Sequence, residues 1–414
     1  MTATGATTRS ICSRTRSDPR IGRGAVLLCV VLWLPCGTAG AREAPENPYA
    51  QAGPGSTATH GVGLENSVHS TFECTDCHAG VTDFSPENLP KVVCASCHTD
   101  AAAEFAVSIH SLSKSGDSPG CTDCHGTHDI RAMADSASMV APRHEPYTCS
   151  RCHSNPRIVE KNHIPVRDPL KAYAGSVHGW LTLTEGSEAA VCSDCHGSHG
   201  ILPANDPASS VNRKNIPRTC GTCHAEVAAE FESSIHHEAV MRGVDDAPDC
   251  NDCHSEHGIQ RARSPSSPTA PQNMAVETCG RCQASTRLQQ KFGFAADRLS
   301  SFQDSYHGLA LKSGNLVAAN CASCHGVHNI LPSTDPRSMI APANLEKTCG
   351  SCHGEVTANF ASGPVHLTED QSPSAINRIV KNIYVWMIVL VIGGMVLHNG
   401  VDFLRRSREI LKRR

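Results

Sequence analysis

Cys121-Thr122-Asp123-Cys124-His125-Gly126-Thr127-His128 is one of four stretches built alike; Cys192–His199, Cys250–His257 and Cys321–His328 are the others. Each sets two cysteines three apart, a histidine directly after the second, and another histidine three residues on. C-x-x-C-H is the pattern of c-type haem attachment: both thiols form thioethers to vinyl groups and the adjacent imidazole reaches the iron as its first axial ligand. Working outward, the motif occurs nine times: Cys74, Cys77 and His78; Cys94, Cys97 and His98; Cys121, Cys124 and His125; Cys149, Cys152 and His153; Cys192, Cys195 and His196; Cys220, Cys223 and His224; Cys250, Cys253 and His254; Cys321, Cys324 and His325; Cys349, Cys352 and His353. A tenth pair, Cys279 and Cys282, is followed by Gln283 instead. Of the 23 cysteines only Cys12, Cys29 and Cys36 stand outside these pairs. A disulfide framework does not explain nine adjacent histidines, and in an exported chain such clusters meet haem-attachment machinery before zinc.

Three segments bound the rest. Residues 1–41 carry a basic stretch (Arg14 to Arg23), an apolar run (Ala25–Leu34) and a small-residue site (Ala39-Gly40-Ala41), and are predicted to be a cleaved export signal. A 20-residue apolar stretch from Asn382 to Val401, between Lys381 and Asp402, is long enough to span a bilayer. The expected organisation is a signal at 1–41, a haem domain at 42–377, a transmembrane helix at 378–404 and a basic cytoplasmic tail at 405–414, with a Pro-Ser linker near 371–375. In residues 42–377, Leu, Ile, Val and Phe make up 54 of 336 residues, about 16%, under the roughly 20% that marks a chain short of core-forming side chains. A globular enzyme with a self-made core is therefore excluded, and a formal charge of −4 suits neither a charge-swollen disordered chain nor a nucleic-acid binder. With about 37 residues per haem, the porphyrins themselves are expected to be the core. The expected fold class is a multihaem cytochrome c: mostly coil with short α-helices wrapped around stacked haems, plus one C-terminal transmembrane helix.

The sites come in couples starting at cysteines 74/94, 121/149, 192/220, 250/279 and 321/349, with within-couple spacings of 20, 28, 28, 29 and 28. Cys121 to Cys250, Cys192 to Cys321 and His178 to His307 share one constant separation of about 130 residues, which marks a modular array. We read 2.5 units, at 60–105, 106–235 and 236–366. Two further sets of histidines recur in register. One stands in S-x-H at His69, His110, His178, His236 and His307, with His366 a variant; most follow an aromatic (Phe105, Tyr173, Phe231, Phe302, Phe360) at the end of a predicted helix such as Ala225–Ser234. The other is His128, His199, His257 and His328. Together they give ten candidate second ligands for ten C-x-x-C sites. A histidine three residues after a motif histidine leaves the same local turn and cannot easily reach the far face of that iron. His128, His199, His257 and His328 are therefore expected to serve neighbouring haems. His60, His144, His163 and His237 lie off the register and are expected to face solvent or propionates, His60 being a possible substitute for His69. The Cys279/Cys282 site is expected to be empty, its thiols paired or free; the alternatives are a haem lacking its usual proximal ligand, or a substrate-binding iron.

Arg405, Arg406, Arg408, Lys412, Arg413 and Arg414 follow the apolar stretch and place its C-terminal end in the cytoplasm, leaving the haem domain in the periplasm. His398 lies inside the span, four residues after Gly394. An ionisable residue at that depth is a functional candidate, expected either to contact a haem b of a partner membrane subunit or to snorkel to the interface.

The S-x-H, C-x-x-C-H-G-x-H (Cys321–His328) and T-C-G-x-C-H (Thr348–His353) elements make residues 60–366 resemble the membrane-anchored multihaem cytochromes c of anaerobic respiratory bacteria. The run Val396–Asp402 resembles the anchors of those that work with quinone-reactive cytochrome b subunits. The resemblance implies bis-histidine, low-potential haems in the periplasm, exchanging electrons with the quinone pool and with periplasmic redox partners. The chain departs from the family at Gln283; it has no C-x-x-x-x-C-H spacing, unlike the tetrahaem cytochromes of sulfate reducers, and its expected topology differs from that of the quinol-oxidising tetrahaem proteins with an N-terminal anchor. An iron with two imidazoles has no open position, so the expected role is an electron carrier rather than an enzyme. The alternative is a multihaem nitrite, hydroxylamine or sulfur-compound reductase with one open haem.

Overall fold

The computed structural model describes residues 63–85, 89–295, 297–363, 365–366 and 375–412. The expected export signal, His60 and the segment 367–374 lie outside the described residues, as do the side chains of 375–378. Among the described residues the chain is helical, without a strand.

Local chemistry keeps the helices short. The first site of each couple is a single turn: Cys74–Cys77, Cys121–His125, Cys192–His196, Cys250–His254 and Cys321–His325. The residue before the second cysteine closes each N-terminus, its side chain accepting the backbone N–H of the residue before the first: Glu73 to Asp76, Gly120 to Asp123, Val191 to Asp194 and Asp249 to Asp252 at 2.8–2.9 Å, and Asn320 to Ser323 at 3.1 Å. Directly after the motif histidine the backbone turns left-handed, at Gly126, Gly197 and Gly326 with φ of 84°, 78° and 88°. The helix stops there, and the chain swings round to the second histidine of C-H-x-x-H.

The second site of a couple ends a longer element: Glu145–His153, Ile216–Gly221 and Leu345–His353 are α-helices. A threonine before the first cysteine ties each to the preceding loop: Thr148 to Met139 O, Thr219 to Ser210 O, Thr278 to Pro268 O and Thr348 to Met339 O, at 2.6–2.7 Å. Met274–Gly280 differs in being a π-helix. Its couple is the one whose spacing is longer by a single residue, and the wider winding takes up that residue without displacing the cysteines. The first couple, eight residues shorter, keeps only a 3-10 turn, Cys94–Ser96.

In S-x-H the serine caps a short helix. Ser108, Ser176, Ser234 and Ser305 accept from the backbone three residues on, while Ser67 accepts from His69 N. The predicted helix Ala225–Ser234 stops at Glu232 because Ser234 is the cap of the next one. The middle residue of S-x-H then donates its N–H to the carbonyl of an isoleucine two residues past a C-H-x-x-H histidine: Val68 to Ile130, Ile109 to Ile201, Val177 to Ile259 and Ile235 to Ile330, at 2.8–3.0 Å. This staple joins each couple to the next.

Side chains do not fill the interior. The apolar cluster consists of Ala275, Phe302 and Leu311 with a few partly buried neighbours. One continuous cavity of about 5400 Å³ runs along all ten C-x-x-C sites, several times the roughly 300–1,000 Å³ of a small-molecule pocket. Repeated ion pairs brace its outside: Asp117 holds Arg157 and Lys161, and Asp246, one repeat further on, holds Arg287 and Lys291.

The C-terminal helix Ala375–Lys412 is 38 residues long and apolar enough over Ile379–Lys412 to be a candidate membrane span. It begins before the expected boundary at 378 and continues through the basic residues to Lys412, so most of the expected tail is helical. Its side chains from Ile383 to Leu397 are exposed, as a lipid-facing surface is.

Candidate functional site

The helical turns bring the motif histidines against the others one to one. The pairs are His69–His98 (ring centres 5.9 Å apart), His78–His128 (6.5 Å), His110–His153 (6.1 Å), His125–His199 (6.1 Å) and His178–His224 (6.2 Å). The remaining four are His196–His257 (6.0 Å), His254–His328 (6.2 Å), His307–His353 (5.9 Å) and His325–His366 (6.2 Å). Each pair joins one motif histidine to one histidine of the two recurring sets. His128, His199, His257 and His328 all stand beside the motif histidine of an earlier couple, never their own. The S-x-H histidines stand beside the second motif of their couple, and His366 beside the first motif of the last. His236 alone of the ten has no facing ring among the described residues, and its register partner is Gln283.

The staples explain this division. Both non-motif histidines of a couple come from one stapled pair of segments, so His110 and His199, for example, are delivered together through Ile109 N and Ile201 O. Carboxylates support two of the rings from behind: Glu104 Oε2 lies 3.5 Å from His199 Nδ1, and Glu230 Oε2 lies 3.4 Å from His328 Nδ1. The last ring, His366, has Nδ1 3.2 Å from Ser301 Oγ and 3.1 Å from Arg298 O. Such contacts fix ring orientation and raise ligand basicity. They were missed in the sequence, although Glu104-Phe105 and Glu230-Phe231, each before an S-x-H, carry a usable signal.

Burial, and then the facing imidazole, push His110, His125, His178 and His254 below the ordinary histidine range. The neutral ring that this favours is the metal-ligating form.

The thiols also form a sequence in space. They adjoin one another at Cys94–Cys121, Cys149–Cys192, Cys220–Cys250 and Cys279–Cys321. They lie within electrostatic reach at Cys77–Cys94, Cys124–Cys149, Cys195–Cys220, Cys253–Cys282 and Cys324–Cys349. Each site thus adjoins the next along the chain, from the first to the tenth.

The off-register histidines divide. His144 is half-buried, not solvent-facing, with Nδ1 3.1 Å from Ser138 O. It occupies the loop-tying position held by Asn215, Asn273 and Asn344 elsewhere, so it belongs to the register after all. His237 packs on Phe231.

Nine sites have the parts that a bis-imidazole haem needs: two thiols, two facing rings and space between. A metal held between two imidazoles at about 2.0–2.1 Å from each nitrogen sets the ring centres about 6.3 Å apart, and the observed pairs span 5.9 to 6.5 Å. The residues present therefore fit c-type haem.

Comparison with known proteins points the same way. "Multiheme cytochrome MtrA" of Shewanella baltica is 29% identical over 136 residues, 32% of this chain and 32% of that protein. "C-type polyheme cytochrome OmcB" of Geobacter sulfurreducens, in two strains, is 24% identical over 224 residues, 46% of this chain and 29% of that protein. The alignments thus span about a third of each relative. No family model matches the chain, and no solved structure matches it. The chain's distant relatives are multihaem cytochromes, and with the nine paired sites they point to c-type haem.

Proposed function

We propose that this chain is a membrane-anchored electron carrier whose domain of nine bis-histidine c-type haems relays electrons between a quinone-reactive, cytochrome b-type membrane subunit and redox partners in the periplasm. The observation that carries the reading is the one-to-one pairing of nine motif histidines with nine others at 5.9–6.5 Å. Haem, once bound through these thiols, supplies a reversible one-electron couple. With an imidazole on each face the protein leaves no position for substrate, so its residues tune a potential rather than direct bond chemistry. The cysteine pairs set the order of the array. The histidines set coordination and favour low potential, and Glu104 and Glu230 strengthen two of them.

The helix Ala375–Lys412 supports the anchoring, and the basic residues after Val401 favour a cytoplasmic C-terminus. His398 and Gly394 sit four apart on one face, and a Cβ at Gly394 would meet nothing within 4 Å. That leaves room beside the imidazole for a partner helix or a flat group. In membranes holding the full chain and its partners, addition of a reduced quinol analogue is expected to reduce the low-spin c-haem absorption, and His398→Ala to slow that reduction and disturb the partner's b-haem spectrum. Rapid quinol-driven reduction with an unchanged b-haem spectrum in His398→Ala would refute the partner assignment.

A further inference from the structure

Resting on the haem-array reading above, we propose that Cys279 and Cys282 carry a tenth haem, ligated on one side by His236 and presenting on the other, beside Gln283, a face open to a small lone-pair ligand such as carbon monoxide.

At this site the fold keeps every attachment feature except the motif histidine. Thr278 ties back to Pro268 O at 2.7 Å, as its three counterparts do. Cys279 adjoins Cys321 as Cys149 adjoins Cys192, and Cys282 lies within reach of Cys253. The π-helix Met274–Gly280 absorbs the extra residue of this couple ahead of the second cysteine, which holds the thiols in register. Cys279, Cys282, Gln283 and His236 all line the common cavity. Asp246, which also lines it, holds Arg287 and Lys291 as Asp117 holds Arg157 and Lys161 one unit earlier.

The His236 side is equally intact. Ser234 caps its turn, and Ile235 N is stapled to Ile330 O at 3.0 Å. An imidazole delivered this way has a motif histidine opposite at His110, His178 and His307. The register assigns position 283 to that place, and Gln283 offers only a neutral amide, a far weaker donor than imidazole. Position in the array adds a second argument. The site is the eighth of ten in the spatial sequence, between Cys253 and Cys321, so without a haem there the row would be interrupted.

Attachment needs only the haem. Each thiol adds across one vinyl C=C: the S–H bond breaks, a C–S bond forms at the carbon next to the ring, and the hydrogen ends on the terminal carbon, with no oxidant or reductant consumed. The histidine that ordinarily follows the second cysteine takes no atom in that step.

The test uses the full-length mature chain purified from membranes, by intact mass, low-temperature EPR and carbon monoxide titration of the dithionite-reduced protein. Expected are ten haems, one high-spin ferric iron and one carbon monoxide bound per chain. Gln283→His should abolish both the high-spin signal and carbon monoxide binding while the mass still shows ten haems. Nine haems with Cys279 and Cys282 recovered as a disulfide or as alkylatable thiols would overturn the proposal, as would ten haems of which none takes carbon monoxide. A haem-free chain, or carbon monoxide at most of the irons, would instead overturn the array on which it rests.

Discussion

Ser255 stands where the other C-H-G-x-H sites have glycine, and its backbone is held at φ 72°. A left-handed conformation costs a residue with a Cβ about 1–2 kcal/mol, partly offset because glycine gains more entropy when unfolded. Ser255→Gly should therefore stabilise the domain by about 0.5–1 kcal/mol, read as a higher denaturant midpoint of the Soret band; a lower midpoint would contradict the assignment of that turn. Glu145 is a different kind of singular residue. It is a buried carboxylate where the parallel elements have Ile216, Met274 and Leu345, with oxygens near Cys149 and Cys192. Burial raises its proton affinity, while Ser193 N and Oγ, at 2.7 and 2.8 Å, partly counter that. The protonated form is thus favoured in the folded state, so the stability it confers is present in acid and lost as pH rises through the raised value. Glu145→Gln should gain stability relative to the parent between pH 4 and pH 8 in thermal unfolding. At a pH above the raised value, where the carboxylate is ionised, it should also raise the potential of a flanking haem by some tens of millivolts, about 1–2 kcal/mol, by removing a nearby negative charge. A stability difference that shrinks with pH would show that burial does not dominate.

At the scale of elements, the stapled segments decide which histidine serves which site. His328 follows the Cys321–His325 turn by three residues, yet its ring faces His254. His328→Ala should open one iron per chain to carbon monoxide. The double variant His254→Ala/His328→Ala should still alter only one iron, whereas His325→Ala/His328→Ala should alter two, because coupled residues fail to add and independent ones add. The opposite pattern would reverse the pairing. This division marks the limit of what could be read from the sequence. The attachment cysteines, both histidine sets and the exclusion of same-turn ligation follow from spacing, since a three-residue step has a fixed local geometry. Partner choice does not, because it rests on backbone bonds such as Ile109 N to Ile201 O, which leave no trace in side-chain type beyond a recurring isoleucine. The ring supports Glu104 and Ser301 likewise act on histidines far along the chain, His199 and His366. His144 eludes a sequence reading because histidine at a loop position held elsewhere by asparagine resembles a stray ligand, whereas both side chains bond the same backbone carbonyl.

For the whole molecule, the shortage of Leu, Ile, Val and Phe and the continuous cavity are two views of one fact: these side chains enclose a space that they do not fill. Haem burial must then supply most of the apolar stabilisation of the domain. A chain expressed without haem attachment should lack cooperative thermal unfolding and expose sites to protease throughout residues 63–366, while attachment at all motifs should restore both. A sharp calorimetric transition in the haem-free chain would show that the polypeptide has a core of its own. The central claim is that the iron at each of the nine C-x-x-C-H sites is capped on both faces by imidazole. Low-temperature EPR of the oxidised full-length chain, with spins quantified per polypeptide, tests it most directly. The account predicts nine low-spin ferric irons with bis-imidazole g-values and no more than one high-spin iron beside them. A spectrum dominated by high-spin iron, or holding no haem iron, would contradict it.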